Sequence, residues 1–404
     1  MIPLDIKLLF KILRLHIKHK GLKWPTIRFL FIQLPLIVLN NLFHQFFFIL
    51  DEIFFPSYRK IETDRTIFII GPPRCGTSLL LDLLNHSSEI SSMKLWELHY
   101  APSICEKLFW LQIGKIDRFL GSPLSRIYLK INDKILGGFK DIHYTSLFHF
   151  EEDAMVFYHT GNSPFYLFVF PFNELKSSLV DLDQSTLRDD SVRYMKYYKK
   201  CIQKHLFVFG KQKIYLSKNP LFSTRILTLK EHFNKARFIF LTRTPYEVVP
   251  STISLATHFK HYTHYLDSVL VRIAIMEMLR KQYLYPLEVL DFSDTRHHVM
   301  IQFVDLVADS KATVEKVLEQ FQIVCPEELK KVLSERAKRD YNYVSRNKYS
   351  FEKYNISDAH FNAHFKQIIS TFGYEEQRRD NQYMQNATSV MYDSNGTSKR
   401  SSLS

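Results

Sequence analysis

The stretch RTIFIIGPPRCGTSLLLDLLNHS, residues 65–87, decides the fold of this chain. It opens with a short apolar run that stops at Gly71, a pattern typical of a strand buried on both faces of a parallel sheet. From Thr77 the leucines recur at helical spacing, so the stretch predicts a strand, a tight loop and a helix in that order. Such a loop presents backbone N–H groups and a helix N-terminus to an anion, which indicates phosphate binding.

Three later apolar runs predict further strands of the same sheet. KIYLSK ends at Lys218, RFIFLTR ends at Arg243, and HVMIQFV covers residues 298–304. Helical patterns flank each run, including an amphipathic one at residues 309–321. Strands that alternate with helices favour an α/β fold with a P-loop-type, doubly wound, mainly parallel sheet flanked by helices.

Composition limits the classes of partner. The 404 residues are 46% hydrophobic and 24% charged, which is enough for a large buried core. A formal net charge of +13 favours an anionic partner, such as a nucleotide or an acidic lipid surface. No zinc-finger, basic-zipper or RNP-like pattern accompanies the cations, so we expect no nucleic-acid partner. The four cysteines form no CxxC pair, which argues against structural zinc and against a disulfide framework.

Residues 1–55 differ from the rest of the chain and predict an amphipathic and apolar helical segment. DIKLLFKILRLHIKHK, residues 5–20, has the pattern of a basic amphipathic helix that can lie on anionic lipid. The next apolar stretch contains polar residues that are costly at a bilayer centre. These are Pro35, Asn40, Asn41, His44 and Gln45.

Three interpretations of that apolar stretch stay open: an interfacial helix, a helix packed on the protein's own core, and a membrane span over residues 26–50. We expect no cleaved signal peptide, because no small-residue cleavage site follows. Residues 56–378 are then the main domain. The last residues, 379–404, lack periodicity and are expected to be a disordered tail.

The loop after the first strand departs from a Walker A loop. Thr77 follows Gly76 directly, without the expected lysine, and Arg74 lies inside the loop. The segment PRCGTSLL, residues 73–80, resembles the 5'-phosphosulfate loop of the PAPS-dependent sulfotransferases, with Cys75 in place of the usual serine. The resemblance implies that the donor 3'-phosphoadenylyl sulfate (PAPS) binds here. The residues implied are Pro73, Arg74, Cys75, Gly76, Thr77, Ser78 and Leu79.

A second segment, RFIFLTRTPYEVVPST at residues 237–252, is similar to the 3'-phosphate motif of the same family. Arg243 would stand at the carboxyl end of a strand and Ser251 in the following helix. An arginine offers a planar fork to phosphate oxygens and a serine adds a hydroxyl. The resemblance covers about residues 50–375 and points to the branch of bacterial and tyrosylprotein sulfotransferases. Weaker candidates in its C-terminal stretch are Arg346, Lys348 and Ser350.

Sulfuryl transfer by in-line displacement needs a base for an acceptor hydroxyl or amine, and cations at the leaving phosphate oxygen. Arg74 and Lys218 are the candidate cations, and no metal is expected. Glu97 is the leading candidate for the base, because the resemblance to the tyrosylprotein branch implies a catalytic glutamate at a similar place. His99 is its rival. An acidic patch offers further candidates at His149, Glu151 and Glu152. The expected product of the donor is 3',5'-adenosine bisphosphate (PAP).

Two other functions compete with this hypothesis. A P-loop kinase or nucleotide hydrolase would need the absent lysine and a magnesium-binding aspartate. A non-catalytic membrane-peripheral nucleotide-binding protein would have little reason to keep both anion sites complete. The aromatic stretch at residues 97–175 and the basic N-terminus favour a lipid-like or membrane-presented acceptor. We expect a cytoplasmic location, peripheral on the membrane, rather than a Golgi location with a membrane-spanning anchor.

Overall fold

Five parallel strands form one sheet in the computed structural model, which describes residues 1–136, 146–163, 166, 173–175, 183, 188–259, 268–340, 351, 354 and 356–375. Their order across the sheet is β2-β3-β1-β4-β5. The four strands that the sequence predicts are confirmed, and β2 is a two-residue edge strand that it does not predict. The strands are β1 Ile67–Ile70, β2 Ile90–Ser91, β3 Ile214–Lys218, β4 Arg237–Thr242 and β5 His298–Gln302.

Helices flank the sheet, and three of them precede its first strand in the chain. A π-helical turn, Phe29–Gln33, joins α2 and α3, and 3-10 turns cover Pro56–Lys60, Asp153–Thr160, Asn173–Leu175 and Pro220–Thr224. The α-helices are α1 Ile6–Lys20, α2 Trp24–Arg28, α3 Leu34–Phe54, α4 Thr77–Leu84, α5 Leu95–Tyr100, α6 Ile104–Phe119, α7 Pro123–Leu136, α8 Arg188–Phe209, α9 Ile226–His232, α10 Pro245–Phe259, α11 Ser268–Val289, α12 Phe303–Ala308, α13 Ser310–Gln320, α14 Glu327–Asp340 and α15 Asp358–Phe372.

The central strand β1 is fully buried because it pairs on both sides. Ile67 is in register with Leu216 of β3 and with Arg237 of β4. The rings of Phe68 in β1 and Phe238 in β4 stack with their centroids 5.5 Å apart. Since β3 and β4 lie on opposite sides of β1, the strand order reverses there, and ligands of open α/β sheets bind at the carboxyl ends of the strands at such a point.

The N-terminal helices pack on this body through polar groups. On α3, Asn41 Nδ2 donates to the His159 carbonyl oxygen at 2.6 Å, and His44 Nδ1 lies 2.6 Å from a Glu106 carboxylate oxygen. Asn41 and His44, two of the polar residues that would be costly in a bilayer, therefore face the protein. The continuous helical segment Trp24–Phe54 is nonetheless long and apolar enough to cross a membrane. The expected tail, 379–404, lies outside the described residues.

Candidate functional site

The loop between β1 and α4 depends on two glycines. Gly71 has φ +131°, and a Cβ there would lie 2.0 Å from the backbone oxygen of Leu241. Gly76 has φ +88°, and a Cβ there would lie 2.6 Å from the ring of Phe303. Gly76 is also the N-cap of α4 and supplies no side chain to the first turn. The N–H groups of that turn are therefore not capped by the side chain of the N-cap residue.

Three predicted site residues come together beside this loop. Arg74 Nε donates to Ser251 Oγ at 3.0 Å, and Arg243 Nη1 donates to the Arg74 carbonyl oxygen at 3.2 Å. Glu247, one helical turn beyond Arg243, accepts from its Nε and Nη2, both at 2.8 Å. The guanidinium also lies 4.3 Å from the ring centroid of Phe303. The two predicted anion sites are thus parts of one cationic surface at the carboxyl edge of β1 and β4.

Lys218 ends β3 on the other side of β1. Its side chain is 1% exposed, and its Nζ lies 3.1 Å from a Glu152 carboxylate oxygen. The next residue, Asn219, donates its backbone N–H to the Ile69 carbonyl oxygen at 3.1 Å. Within the described part of the chain, no hydrogen-bond partner is found for two buried polar atoms at this edge, Asn219 Nδ2 and Thr244 Oγ1. Buried polar groups need partners, so this edge fits a polar, anionic ligand such as PAPS.

Glu97 is fixed in the interior. Its carboxylate is 2% exposed and accepts from the Lys94 backbone N–H at 3.0 Å, while His205 Nδ1 lies 2.7 Å from its other oxygen. Lys107 Nζ is 3.9 Å away. Burial raises the pKa of Glu97, but the charge and hydrogen bond of His205 and the charge of Lys107 outweigh burial and leave the pKa below its usual value. Both carboxylate oxygens are therefore used within the protein.

His99 has a different environment on the same short helix, α5. It is half-buried, with its ring centroid 5.6 Å from that of Tyr158. Burial lowers the pKa of His99, and the nearby Glu151 carboxylate opposes that shift without cancelling it. A neutral imidazole at neutral pH can accept a proton. His149 is tied to the same helix, because its carbonyl oxygen accepts from the Leu95 N–H at 3.0 Å.

Cys75 stands where the resemblance implies a serine. A serine at this position could lend a hydroxyl to the phosphate, but the Cys75 side chain is fully buried, and burial raises the pKa of its thiol to about 12. The side chain thus belongs to the core, and only the backbone of this residue is left for an anion. Of the other predicted loop residues, Thr77 is buried, Pro73 and Leu79 are half-buried and Ser78 is exposed. Arg346, Lys348 and Ser350 lie outside the described residues.

Several residues at the site were not identified from the sequence. Ser223 Oγ accepts from the Gly71 backbone N–H at 2.8 Å and so fixes the start of the loop. Glu247 orients Arg243 from the first turn of α10, four residues further along the chain. Phe303 and Asn219 are not among the predicted site residues, although Asn219 directly follows Lys218 in the chain.

Comparison with known proteins shows which proteins have a sequence similar to this chain. A model described as the sulfotransferase family matches residues 66–327. The chain is 29% identical over 197 residues to the omega-hydroxy-beta-dihydromenaquinone-9 sulfotransferase Stf3 of Mycobacterium bovis and to that of Mycobacterium tuberculosis. The match covers 48% of this chain and 46% of each relative, so it spans about half the length of these relatives.

Two solved structures share the fold. The sulfotransferase STF1 of Mycobacterium tuberculosis H37Rv superposes with a TM-score of 0.66 at 15% identity, over 89% of this chain and 91% of that one. STF9 of Mycobacterium avium gives a TM-score of 0.62 at 17% identity, over 79% and 80% of the two chains. At these identities the likeness establishes the architecture.

Proposed function

The chain belongs to the sulfotransferase family, and we propose that it transfers a sulfuryl group from PAPS to a hydroxyl or amine acceptor. The observation that carries this proposal is the joining of Arg74, Ser251 and Arg243 beside a glycine-bounded loop. Two hydrogen bonds connect these three residues, which come from three separate elements. The two anionic groups of one nucleotide would need such side chains close together. Residues 56–378 would form the catalytic body, with residues 1–55 as a segment that contacts a membrane.

Each anionic end of the donor would have its own residues. The N–H groups at the start of α4 and the Arg74 side chain would hold the 5'-phosphosulfate. Arg243 and Ser251 would hold the 3'-phosphate. Because Glu247 accepts from Arg243 Nε and Nη2, its carboxylate would have to give up part of that contact to the phosphate. PAP is the product that these contacts would retain after transfer. The site would need no metal for this binding.

Transfer would use groups on both sides of the loop. In the displacement, the acceptor oxygen or nitrogen bonds to sulfur as the bond from sulfur to the phosphate oxygen breaks, and the acceptor proton passes to a base. Arg74 and Lys218 would stabilise the charge on the leaving oxygen. Lys218 Nζ is paired with the Glu152 carboxylate in this structure. This ion pair would have to loosen for Lys218 to contact the donor.

We assign the base to His99 in preference to Glu97. The Glu97 oxygens already accept from Lys94 and contact His205, and the carboxylate is 2% exposed. His99 is more accessible, and burial lowers its pKa, so its ring is neutral at neutral pH and one ring nitrogen can accept a proton. Glu97 would then act as a positioning residue that fixes α5 and with it His99. Glu151 would stabilise the imidazolium formed during transfer.

We propose a lipid-like acceptor that bears a hydroxyl group. The relatives matched over about half their length are named for an omega-hydroxy menaquinone derivative, which is a long apolar molecule with a terminal hydroxyl. The apolar helix Trp24–Phe54 fits an enzyme that works beside a membrane. A cytoplasmic, peripheral location agrees with a donor that is a soluble nucleotide.

The first test is calorimetric titration with PAP, beside ATP with magnesium. Tight binding of PAP and weak binding of ATP are expected. Arg243→Ala should weaken PAP binding by about 10- to 150-fold, since a hydrogen bond to a charged group contributes about 1.5–3 kcal/mol. Arg296→Ala is the matched control, because its side chain is 78% exposed and outside the site. A preference for ATP, or equal PAP affinity in both variants, would refute the proposal.

A further inference from the structure

An extensive apolar surface lies on three helices and is not used by the donor site. Helix α3 exposes eight large apolar side chains. Six of them recur at spacings of three and four residues, which places these six along one side of the helix. Each is between 48% and 63% exposed. They are Leu36, Leu39, Phe43, Phe46, Ile49 and Ile53.

Helices α6 and α7 also carry exposed apolar side chains. Helix α6 packs against α3, and α7 packs against α6. Their most exposed apolar residues, between 50% and 89% exposed, are Phe109, Ile116, Phe119, Leu124, Ile127 and Ile131. We call the outward side chains of α3, α6 and α7 the docking face. A soluble protein rarely leaves so many large apolar side chains of neighbouring helices in water.

Within residues 104–131 the exposed charges have one sign. Between Ile104 and Ile131 the acidic residues, Glu106 and Asp117, are both buried, and Asp117 accepts from the backbone N–H groups at the start of α7. The exposed charged residues of this range are all cationic. They are Lys115, Arg118, Arg126 and Lys130. Cations beside an apolar surface complement anionic lipid headgroups, whereas an apolar protein partner would have no need of them.

The opposite side of α3 shows how the helix would meet a bilayer. Asp51, with Lys204, forms an ion pair at 2.7 Å in which both side chains are 0% exposed. Asn41 and His44 also bond to the body of the protein along this side. A helix that crossed a membrane would have to leave these partners, and the buried Lys204 ammonium would lose its carboxylate. The helix therefore stays attached along its length.

We propose that the docking face inserts into one leaflet of an anionic membrane, with α3 lying along the surface and not crossing it. This goes beyond contact through residues 1–55, because α6 and α7 supply half of the face. It rests on the proposed function in one respect, namely that the leaflet is also the source of the acceptor.

The docking face adjoins the acceptor side of the site. Tyr128 of α7 accepts from the Leu147 backbone N–H at 2.8 Å, and its ring centroid lies 5.6 Å from that of Phe148. The same short segment continues to Glu151, beside His99, and to Glu152, on Lys218. One short segment thus connects the docking face to the reacting groups.

Flotation with vesicles tests the face. The full chain should float with vesicles of phosphatidylcholine and phosphatidylglycerol, and less with phosphatidylcholine alone. The double variant Phe119→Asp, Ile127→Asp should lower the bound fraction at least about tenfold, since each apolar side chain contributes to insertion. Val324→Asp is the control, because Val324 is 66% exposed but lies between α13 and α14. Equal flotation of the two variants would overturn the proposal.

Thiol labelling tests the single-leaflet topology. Cysteines placed at Lys20→Cys and Arg59→Cys flank the apolar helix and should react with a membrane-impermeant maleimide from the same side of vesicles prepared from expressing cells. The unsubstituted chain sets the background of its native thiols. Protection of one site until detergent is added would mean that the helix spans, which contradicts the proposal.

Two further outcomes separate the competing explanations. A chain that forms a dimer without lipid, loses it in the Phe119→Asp, Ile127→Asp variant and does not float would show that a second copy covers the face. PAP titration of the same preparations keeps the two proposals distinct. A chain that binds PAP but does not float overturns docking alone, and one that floats but binds no PAP overturns the transferase proposal.

Discussion

The ion pair between Asp51 and Lys204 should be the most sensitive point in the attachment of α3. Both side chains are fully buried, and Asp51 Oδ2 lies 2.7 Å from Lys204 Nζ. The Asp51 carboxylate also accepts from the backbone N–H groups of Ile104 and Cys105 at 2.8 and 2.9 Å, which caps α6. Lys204 Nζ lies 3.6 Å from the ring centroid of Phe48. One carboxylate thus holds α3, α6 and α8 together.

Asp51→Asn should reduce the free energy of unfolding by about 3–5 kcal/mol, because it leaves a buried ammonium without a counter-charge. Burial lowers the pKa of Lys204, and the Asp51 charge is the main factor that opposes this shift. The double variant Asp51→Asn, Lys204→Met should recover much of the loss, since neither buried charge then remains. Recovery distinguishes an unpaired charge from a packing defect.

Urea unfolding followed by circular dichroism measures both variants, with the slope against urea expected to stay unchanged. Lys330→Met is the matched control. Its pair with Glu327 is exposed on both sides, at 48% and 87%, and should be worth no more than about 0.5 kcal/mol. If Asp51→Asn lies within about 1 kcal/mol of the parent chain, or if the double variant is less stable than Asp51→Asn, the reasoning is refuted.

Three further predictions concern the site and the core beneath it. His99→Gln should lower kcat by about 10²–10⁴-fold with unchanged PAP affinity, whereas Glu97→Gln should mainly lower the urea midpoint; a larger kcat loss in Glu97→Gln with a normal midpoint would reverse the assignment. Burial raises the pKa of Asp153 from 3.8 to about 6, so the folded state binds the proton more tightly and stability should fall as pH rises from about 4 to 6. The free energy of unfolding of Asp153→Asn should therefore rise by about 3 kcal/mol relative to that of the parent chain as the pH increases over that range. If the difference in urea midpoint between the two chains is the same at pH 4 and pH 7, this prediction is wrong. Cys75→Ala should leave PAP affinity within about twofold by calorimetry, because the thiol lies in the core; a tenfold loss would show that it contacts the ligand.

The central strands and the phosphate loop could be predicted because their signals are local. The apolar run before Gly71 and the leucine spacing after Thr77 lie within a few residues of each other. The two-residue strand β2 is too short for any period to show. The environment of Glu97 was also beyond local reasoning, since its partner His205 is 108 residues away.

The N-terminal helices show most clearly why composition was not enough. The sequence shows which residues of these helices are apolar and which are polar, and this left three interpretations of the apolar stretch open. What separates these interpretations is where each polar side chain finds its partner. Those partners, Glu106, His159 and Lys204, lie on other helices and turns more than sixty residues away.

A chain of buried hydrogen bonds connects α3 to the helix that carries His99. His159 Nε2 donates to the Leu98 carbonyl oxygen at 2.7 Å, and its Nδ1 accepts from Asn40 Nδ2 at 2.9 Å. Burial lowers the pKa of His159 well below its usual value, so the ring is neutral and has one donor and one acceptor for these two bonds. Asn40 also lies 3.2 Å from His44 through its Oδ1. Since α3 supplies part of the docking face, the depth at which the protein sits in a leaflet would fix the height of His99 above it. An acceptor hydroxyl at the end of a long apolar chain would then be selected by its position in the membrane as well as by contacts in the site.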